Sequence, residues 1–262
     1  MKRHDAYYWR LLATAMSFAL FGAGSLCLRL VFFPLLSCLP GNVEAHRRRA
    51  RRTIGQLFWL FVRFMYRTGV LTYDIRGAEK LGRPGQMIIA NHPSLIDVVF
   101  LIGLVREADC VVKQSLWDNF FTRGPLREAQ YISNDGSMDM LDTAAQALQD
   151  GQTLIIFPEG TRTRPGSPLA FHRGAAAIAL RGAKIITPVT IKVSPSTLTK
   201  AEPWYRIPRS RVHFSLQAGA DIDPRFFAAS GPAPQASRKL NDYLHDYFLK
   251  ELALDERTAP GP

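Results

Sequence analysis

The feature that most constrains this chain is a long apolar segment close to its N-terminus. No charged residue occurs from Leu11 to Leu28, and the apolar run resumes directly after a single Arg29. About 18 or more uncharged apolar residues is the length at which a helix can cross the hydrocarbon core of a bilayer. We expect Pro34, Pro40 and Gly41 to break this helix, because proline lacks a backbone N–H and clashes with the preceding turn. The segment predicts a helix that prefers lipid to water.

A strongly basic and then amphipathic stretch follows the predicted break. Residues His46 to Arg52 read HRRRARR, and the apolar residues after them recur at the spacing of one helix face, at Leu57, Phe58, Phe61, Phe64 and Met65. Two helices joined by a Pro-Gly turn, the second beginning with arginines, are typical of a hairpin that dips into one leaflet. Each arginine near anionic headgroups contributes about 1 kcal/mol, most strongly at the cytoplasmic leaflet. We therefore predict a membrane location, at the cytoplasmic leaflet.

Other interpretations of the N-terminal segment stay open at this point. A single spanning helix would use the same basic run as its positive-inside flank. A cleaved signal peptide would use Lys2, Arg3 and Arg10 as its charged region, although the apolar stretch is longer than a usual h-region. The basic run could also be no more than a solvated helix face.

The charge balance calls for an anionic partner, and the sequence limits which one. The 262 residues include 33 Lys and Arg against 22 Asp and Glu, which gives a formal net charge of +11. Such an excess suits nucleic acid or an anionic membrane surface. The arginines directly follow an apolar segment, and no zinc finger, basic zipper or aromatic RNA-binding signature accompanies them. We therefore expect a lipid bilayer as partner and no nucleic acid.

Cysteine and histidine usage predicts neither a disulfide framework nor a metal site. The three cysteines, Cys27, Cys38 and Cys110, form no C-x-x-C motif, and the six histidines lie far apart in the sequence. Zinc sites usually have cysteine or histidine ligands at short spacing in the sequence. We therefore expect no metal.

Beyond Gly69, short apolar runs alternate with helical patterns. This alternation predicts an α/β domain with a mostly parallel central sheet flanked by helices. We predict strands at 70–76, 86–90, 110–112, 153–157, 184–193 and 211–216, and helices at 93–104, 138–149 and 171–180. The predicted organisation is a membrane-associated helical hairpin over 1–69, the α/β domain over 70–230, and a linker (231–237) with an amphipathic helix over 231–262.

The first of two polar motifs reads NHPSLID, from Asn91 to Asp97, and follows a predicted buried strand. Sites in α/β sheets usually lie at such strand ends. Because His92 precedes the helix body, Asp97 can accept its Nδ1–H, which fixes the tautomer and leaves Nε2 as a general base. From the spacing alone, a capping histidine with a first-turn aspartate that favours the helix dipole is an equally good interpretation.

The second motif reads FPEGTRT, from Phe157 to Thr163, and also follows a predicted strand. Backbone N–H groups around Gly160 and Thr161, together with the guanidinium of Arg162, can hold a phosphate, a carboxylate or a developing oxyanion. The alternative is an ordinary turn with an exposed arginine.

In this order, the two motifs resemble those of the PlsC-like glycerolipid acyltransferase family. Phe171–Gly174 (FHRG) resembles the family's F-x-x-G motif, and Ile186–Val189 (ITPV), which contains Pro188, resembles its proline-bearing strand. The stretch that begins at Lys113 resembles its K-x-x-L…P…G block. The resemblance extends over roughly 69–216, and it implies a glycerol-3-phosphate acyltransferase-like α/β fold with an N-terminal two-helix membrane motif.

The resemblance, to a family typified by a bacterial enzyme, also implies a location at the cytoplasmic face of the bacterial inner membrane, and it implies an activity. A membrane-bound O-acyltransferase of this family moves an acyl chain from acyl-CoA or acyl carrier protein, as co-substrate, to the hydroxyl of a lyso-lipid, without another cofactor. The most direct acceptor is 1-acyl-glycerol-3-phosphate. The implied catalytic residues are His92 and Asp97. The implied acceptor and oxyanion contacts are Glu159, Gly160, Thr161, Arg162 and Lys113, and the supporting residues are Asn91, Pro158, Phe171, Gly174 and Pro188.

One position departs from the family pattern. The family's second block commonly ends in an arginine that contacts the acceptor phosphate, whereas the corresponding residue here is Asn134. Arg127, Lys113 and Arg162 are candidates to compensate. The departure leaves room for another acceptor, such as a lyso-amino-acid lipid or another hydroxylated amphiphile. A non-catalytic lipid-binding protein is the alternative of a different class, and a thioesterase or lipase is disfavoured because no G-x-S-x-G motif is present.

Overall fold

The architecture is that of a computed structural model, which describes residues 6–164, 166–200 and 202–256. In chain order, the helices are Tyr7–Cys27 (α1), Phe33–Ser37 (α2), Val43–Arg67 (α3), Asp97–Leu104 (α4), Arg123–Ala129 (α5), Met138–Gln149 (α6), Gly174–Gly182 (α7), Arg225–Ala228 (α8) and Ala233–Glu256 (α9). The strands are Leu71–Arg76 (β1), Gln86–Ala90 (β2), Asp109–Lys113 (β3), Ile132–Asn134 (β4), Leu154–Ile156 (β5), Ile185–Ser194 (β6) and Val212–Ala218 (β7).

The strands form one seven-stranded sheet in the order β1-β7-β6-β2-β5-β3-β4. The five strands from β6 to β4 run parallel, whereas β7 pairs antiparallel with β6 and parallel with β1. All residues of β2 and β5 are buried, which their continuous apolar sequences predict for central parallel strands covered on both faces. The prediction of a mostly parallel sheet flanked by helices is confirmed.

Helices cover both faces of the sheet, and each face has its own apolar core. On one face, α3 and α4 pack on the sheet through residues such as Ile54 and Phe100. On the other face, α6, α7 and α9 do so through Leu148, Ile178 and Phe248. The C-terminal helix therefore docks on the domain through the apolar face that its sequence pattern predicts.

The N-terminal helix continues past Pro34, where a break was predicted. A π-helical turn over Leu28–Phe32 joins α1 to α2, and Pro34 lies in the first turn of α2, a position that tolerates proline. The helix ends only before Pro40 and Gly41. Within the described ranges, Tyr7–Ser37 is the one helical segment long and apolar enough to cross a membrane, judged by length and composition.

Two predicted helices begin later than their sequence patterns indicate. α4 begins at Asp97 rather than Pro93, because the N–H of Ser94 donates to the Asp97 carboxylate instead of joining a helical turn. α7 begins at Gly174 rather than Phe171, because the chain before it bonds to the loop that follows β5. In both places the polar backbone is engaged in the candidate site.

Three short elements were not predicted, and one linker is shorter than predicted. The helices α5 and α8 and the strand β4 have seven, four and three residues, too few to show a clear period. The helix α9 begins at Ala233, inside the segment 231–237 that was predicted as a linker, since proline and alanine are well tolerated in a first helical turn. The division into segments 1–69, 70–230 and 231–262 stays a prediction.

One arginine of the predicted headgroup-binding run is buried instead. Arg51 is 2% exposed, and its Nη2 lies 2.7 Å from Oδ2 of Asp109, which is also buried. Its other N–H groups donate to the carbonyl oxygens of Ala129 and Gln130 and to Oε1 of Gln152. All these partners lie beyond the N-terminal helices, so Arg51 attaches α3 to the α/β domain rather than to lipid.

We predict that Arg51→Met destabilises the protein by about 3–5 kcal/mol, because the Asp109 carboxylate would stay buried without its cation. The neighbouring Arg52→Met is the matched control, since Arg52 pairs with Glu107 on the surface, where ion pairs contribute little. Urea unfolding in detergent, followed by circular dichroism, measures the difference. Equal midpoints for the two variants would contradict the assigned role of Arg51.

Candidate active site

The polar residues picked out in the sequence meet at one edge of the sheet. His92 follows β2, Glu159 and Arg162 follow β5, and Lys113 and Asn134 end β3 and β4. These four strands are parallel and adjacent, so their carboxyl ends lie side by side. Lys113 and Asn134 are directly opposite each other in the strand register. The edge is where ligands bind in open α/β sheets.

His92 and Asp97 form the hydrogen-bonded pair that the sequence predicts. Nδ1 of His92 donates to Oδ2 of Asp97 at 2.9 Å, and the N–H of Ser94 donates to the same oxygen at 2.7 Å. The Asp97 side chain is fully buried, whereas the His92 side chain is 17% exposed. The proton is therefore held on Nδ1, and Nε2 is left with its lone pair.

Burial raises the pKa of the Asp97 carboxyl, and the hydrogen bond and charge of His92 act against that rise. Among the described residues, Oδ1 of Asp97 has no hydrogen-bond partner. A carboxylate with so few donors in an apolar setting interacts strongly with any positive charge nearby. The Asp97 carboxylate is therefore the hydrogen-bonded partner that holds the His92 ring in place.

The His92 ring also rests on an aromatic side chain that the sequence analysis did not single out. The rings of His92 and Phe157 stack with centroids 4.3 Å apart and planes inclined by 26°. Phe157 is the first residue of FPEGTRT, so one motif supplies the base and the other fixes its ring plane. The contact between the two rings depends on how the two loops lie in space, which the spacing of the motifs in the sequence does not reveal.

Glu159 lies inside the protein and ties the two motifs to each other. It is 7% exposed, its Oε1 accepts from the N–H of His92 at 2.7 Å, and its Oε2 accepts from the Thr163 hydroxyl at 2.7 Å. The Thr163 N–H donates to the His92 carbonyl at 2.7 Å. Both carboxylate oxygens are thus engaged within the protein, which differs from the predicted contact with an acceptor head group.

The Gly-Thr-Arg turn is also partly engaged internally. The N–H of Gly160 donates to the Phe157 carbonyl, and its φ of +63° is one that glycine adopts without strain. The Cδ2 of His172 lies 3.3 Å from where a Cβ on residue 160 would stand. Nη1 of Arg162 donates to the carbonyls of Leu198 and Thr199, and Thr161 is half-buried beside it. The Gly160 N–H was predicted to donate to an anion, whereas here it donates to the Phe157 carbonyl.

The predicted supporting residues hold the backbone around this edge. The Asn91 amide accepts from the N–H of Ile191 and donates to its carbonyl, which extends the pairing of β2 with β6 beyond the strand. The Pro188 carbonyl accepts from the N–H of Gly219, and the Pro158 carbonyl accepts from the N–H of residue 172.

Two further supporting residues lie at the start of α7. The Phe171 ring packs edge-on against Phe248 and His245 of α9, and Gly174 is the first residue of α7. These contacts place the F-x-x-G segment against α9. They are structural contacts, and none joins a polar group of the candidate site.

An apolar cavity is lined in part by the loop that follows His92, and the sequence analysis did not predict it. Its volume is about 270 Å³, and its walls come from α1, α3, α4, the loop after His92 and the segment 197–208. Lining side chains include Phe18, Phe58, Leu95, Ile96, Val99, Ile102, Leu126, Tyr131, Leu198 and Trp204. Leu95 and Ile96 belong to the NHPSLID motif itself, so the cavity reaches the loop that carries the base.

Within the described ranges, no three His, Cys, Asp or Glu side chains come together as a metal-binding group. The cations at the edge are Lys113, which is exposed, and Arg162, whose Nη1 is already bonded. The arrangement offers a base, its oriented carboxylate, an apolar cavity and two cations.

The sequence matches known acyltransferases. The sequence model of the family described as Acyltransferase matches residues 72–192. The 1-acyl-sn-glycerol-3-phosphate acyltransferase of Pseudomonas aeruginosa is 28% identical over 189 residues, which are 70% of this chain and 70% of that protein. The Helicobacter pylori enzyme of the same name is 30% identical over 123 residues, 43% of this chain and 52% of that protein. The Saccharomyces cerevisiae enzyme of that name is 28% identical over 165 residues, 57% and 52% respectively.

The fold matches as well. The crystal structure of the 1-acyl-sn-glycerophosphate (LPA) acyltransferase PlsC from Thermotoga maritima superposes with a TM-score of 0.72. It is 20% identical, and the match covers 97% of this chain and 98% of that one. The chain aligns with only about half the length of the yeast and Helicobacter relatives. The family match and the curated relatives support the PlsC-like family for this chain and show that it is an acyltransferase, and the superposition shows that it shares that fold.

Proposed function

We propose that this acyltransferase moves a fatty acyl chain from an acyl thioester to the hydroxyl of a lyso-lipid at a membrane surface. The observation that carries the proposal is the His92–Asp97 pair, which lies in the same loop as Leu95 and Ile96, two residues that line an apolar cavity. The relatives named above are 1-acyl-sn-glycerol-3-phosphate acyltransferases, and this supports 1-acyl-glycerol-3-phosphate as acceptor and phosphatidic acid as product.

The proposed mechanism is general-base catalysis by His92. Nε2 takes the proton of the acceptor hydroxyl as its oxygen attacks the thioester carbonyl carbon. The tetrahedral intermediate collapses, the carbon–sulfur bond breaks, and the departing thiolate takes the proton back from the imidazolium. Asp97 stabilises that imidazolium and keeps Nε2 facing the acceptor. A thioester is already activated, so no enzyme nucleophile is needed, and the donor is acyl-CoA or acyl carrier protein.

The cavity is the proposed site for an acyl chain. Its lining is almost wholly apolar, and a chain bound there loses its contact with water. Leu95 and Ile96 place one wall three and four residues after His92, so a chain seated there leads toward the base. Ile102 lies further along α4, away from the reacting end.

Lys113 and Arg162 are the proposed contacts for the acceptor anion. Arg162 follows β5, the neighbour of β2, and Lys113 ends β3, the next strand along the sheet. Nη2 and Nε of Arg162 are proposed to bind the phosphate, since Nη1 bonds to the 198–199 carbonyls. Asn134 stands where the family pattern has an arginine, so this site has one cation fewer. An acceptor with a weaker anionic group, such as a lyso-amino-acid lipid, is the second candidate.

We further propose that the N-terminal helices lie within one leaflet rather than across the bilayer. Arg10, near the start of α1, is buried and donates to the carbonyls of residues 208–210, and Leu28 and Phe33 belong to the core of the α/β domain. From Arg10 to Phe33, one side of the helix contacts protein over about 35 Å. A helix crossing the bilayer would place that polar domain in hydrocarbon, where unsatisfied backbone groups are very costly.

The opposite side of the same helical segment is apolar and exposed. The exposed residues on it include Leu12, Leu20, Leu30, Val31 and Leu35. An exposed apolar helix face of this kind fits the headgroup and upper acyl region of a leaflet. The proposed location is therefore a membrane surface, and the anionic cytoplasmic leaflet suits the net charge of +11.

We predict that His92→Ala lowers the rate of acyl transfer by about 10²–10⁴-fold, because general-base assistance is lost. Purified protein in detergent is given labelled acyl-CoA with lysophosphatidic acid or a lyso-amino-acid lipid, and products are identified by mass spectrometry. His245→Ala is the control, since His245 is also half-buried but bonds to the Leu169 carbonyl on the other face of the sheet. Wild-type rates for a folded His92→Ala protein would refute the mechanism.

We predict that Glu159→Gln lowers kcat by about 10²-fold and leaves the acceptor KM nearly unchanged, because the loop that positions His92 loses an acceptor. Steady-state kinetics with varied acceptor measures both constants. Glu79→Gln, on the surface far along the chain, serves as control. A raised KM with an unchanged kcat would instead show that Glu159 contacts the acceptor head group.

We predict that Ile102→Phe slows transfer of long acyl chains by about tenfold and leaves short chains unaffected, because the larger ring fills the distal part of the cavity. Rates with acyl-CoA donors of increasing length measure this. Ile102→Val is the control that keeps the cavity open. An equal loss at every chain length would show that the acyl chain binds elsewhere.

A further inference from the structure

The loop between β3 and α5 presents large apolar side chains to solvent. Over residues 114–122, Leu116 is 39% exposed, Phe120 58% and Phe121 46%. The loop is nonetheless ordered by its own hydrogen bonds, since the Thr122 hydroxyl donates to the Leu116 carbonyl and the N–H of Phe121 donates to Oδ1 of Asn119. The two adjacent phenylalanine rings contact each other edge-on, yet both stay largely exposed.

This loop is attached to the apolar N-terminal helix through Arg29. Nη1 of Arg29 donates to the Phe120 carbonyl at 2.6 Å, and its guanidinium lies over the Phe120 ring, 4.3 Å from the centroid. Gly124 makes the close approach possible, because a Cβ there would stand 2.7 Å from Cγ of Arg29. The one charge that interrupts the apolar segment is thus satisfied by the loop.

The same loop also forms part of the acyl cavity. Leu116 and Thr122 line the cavity, together with Leu126 of α5 and Val112 of β3. The loop therefore has one side toward the cavity and another toward the surroundings of α1. Lys113, the proposed acceptor contact, is the residue immediately before it.

We infer that the 114–122 loop inserts into the same leaflet as the N-terminal helix and forms the entrance through which lipid chains pass into the cavity. The partner is a lipid leaflet, because the exposed phenylalanines are continuous, through Arg29, with the apolar face proposed to lie in the membrane. Asp118 and Asn119 in the same loop keep its tip at headgroup depth. This inference rests on the proposed function for its consequence, although insertion itself does not require catalysis.

Arg29 acts as the connection between helix and loop. In an apolar segment, replacing it by leucine makes the helix more lipophilic, so simple partitioning would become stronger. For the 114–122 loop, the inferred role of Arg29 predicts weaker insertion into the leaflet. The reason is that Phe120 would lose both its hydrogen bond and its cation–π contact. The two effects can therefore be separated in one variant.

Insertion can be measured directly with an environment-sensitive fluorophore on Asp118→Cys, in a background where the exposed Cys27 and Cys38 are serine. Asp242→Cys on α9, on the opposite face of the sheet, carries the matched control label. On addition of phosphatidylglycerol–phosphatidylcholine vesicles, we expect a blue shift and gain in emission at position 118 and none at 242. His92→Ala should leave the shift intact, so a failed mechanism and a failed insertion are distinguishable.

The effect of the loop on acyl transfer is measured with the double variant Phe120→Ser/Phe121→Ser. Phe226→Ser is the control, since Phe226 is an exposed phenylalanine of α8 on the other side of the molecule. We expect the double variant to transfer to vesicle-embedded acceptor about tenfold more slowly, and to a water-soluble short-chain acceptor at the wild-type rate. Arg29→Leu should bind vesicles at least as strongly as wild type, with a smaller label shift. An unshifted label in wild type, or equal loss of rate with both acceptors, would overturn the inference.

Discussion

The candidate site depends on a single buried carboxylate, that of Glu159. It accepts from the backbone of His92 and from the hydroxyl of Thr163, and the backbone of Thr163 bonds back to His92. Adjacent parallel strands bring the two loops close, but this pairing joins them in both directions. Because the carboxylate has lost water, it is stable only while both donors stay in place. The base, the Phe157 ring beneath it and the arginine turn therefore form one rigid unit.

The surface proposed to meet lipid and the site proposed to do chemistry are built from shared residues. α3 and α4 belong to one apolar core that also includes Leu28 and Phe33 of the N-terminal segment. The cavity lies between that segment and the sheet, so its walls come from both. A change in how the N-terminal helices contact the membrane therefore alters the cavity directly, without any relay through the protein.

Hydrophobic periodicity and capping residues predicted the elements that depend on interactions between residues close in the sequence. The strand β2 has the bounds predicted from its apolar run, and Ser137 caps α6 as its sequence indicates. Contacts between distant residues were not predictable, because a charge in a sequence does not reveal its partner. Arg51 was assigned to headgroups and Glu159 to the acceptor, yet each is buried against residues far along the chain. The π-helical turn at Leu28–Phe32, after which the helix continues through Pro34, likewise cannot be recognised from the composition.

The burial of Arg51 has a consequence for the order in which the protein is made. The ribosome releases α3 well before Asp109, so for a time this arginine has no carboxylate to pair with. Its guanidinium can be buried only after β3 and the residues at 129–130 have been made, because its partners come from there. The docking of α3 on the sheet through Arg51 therefore waits for these later parts of the chain.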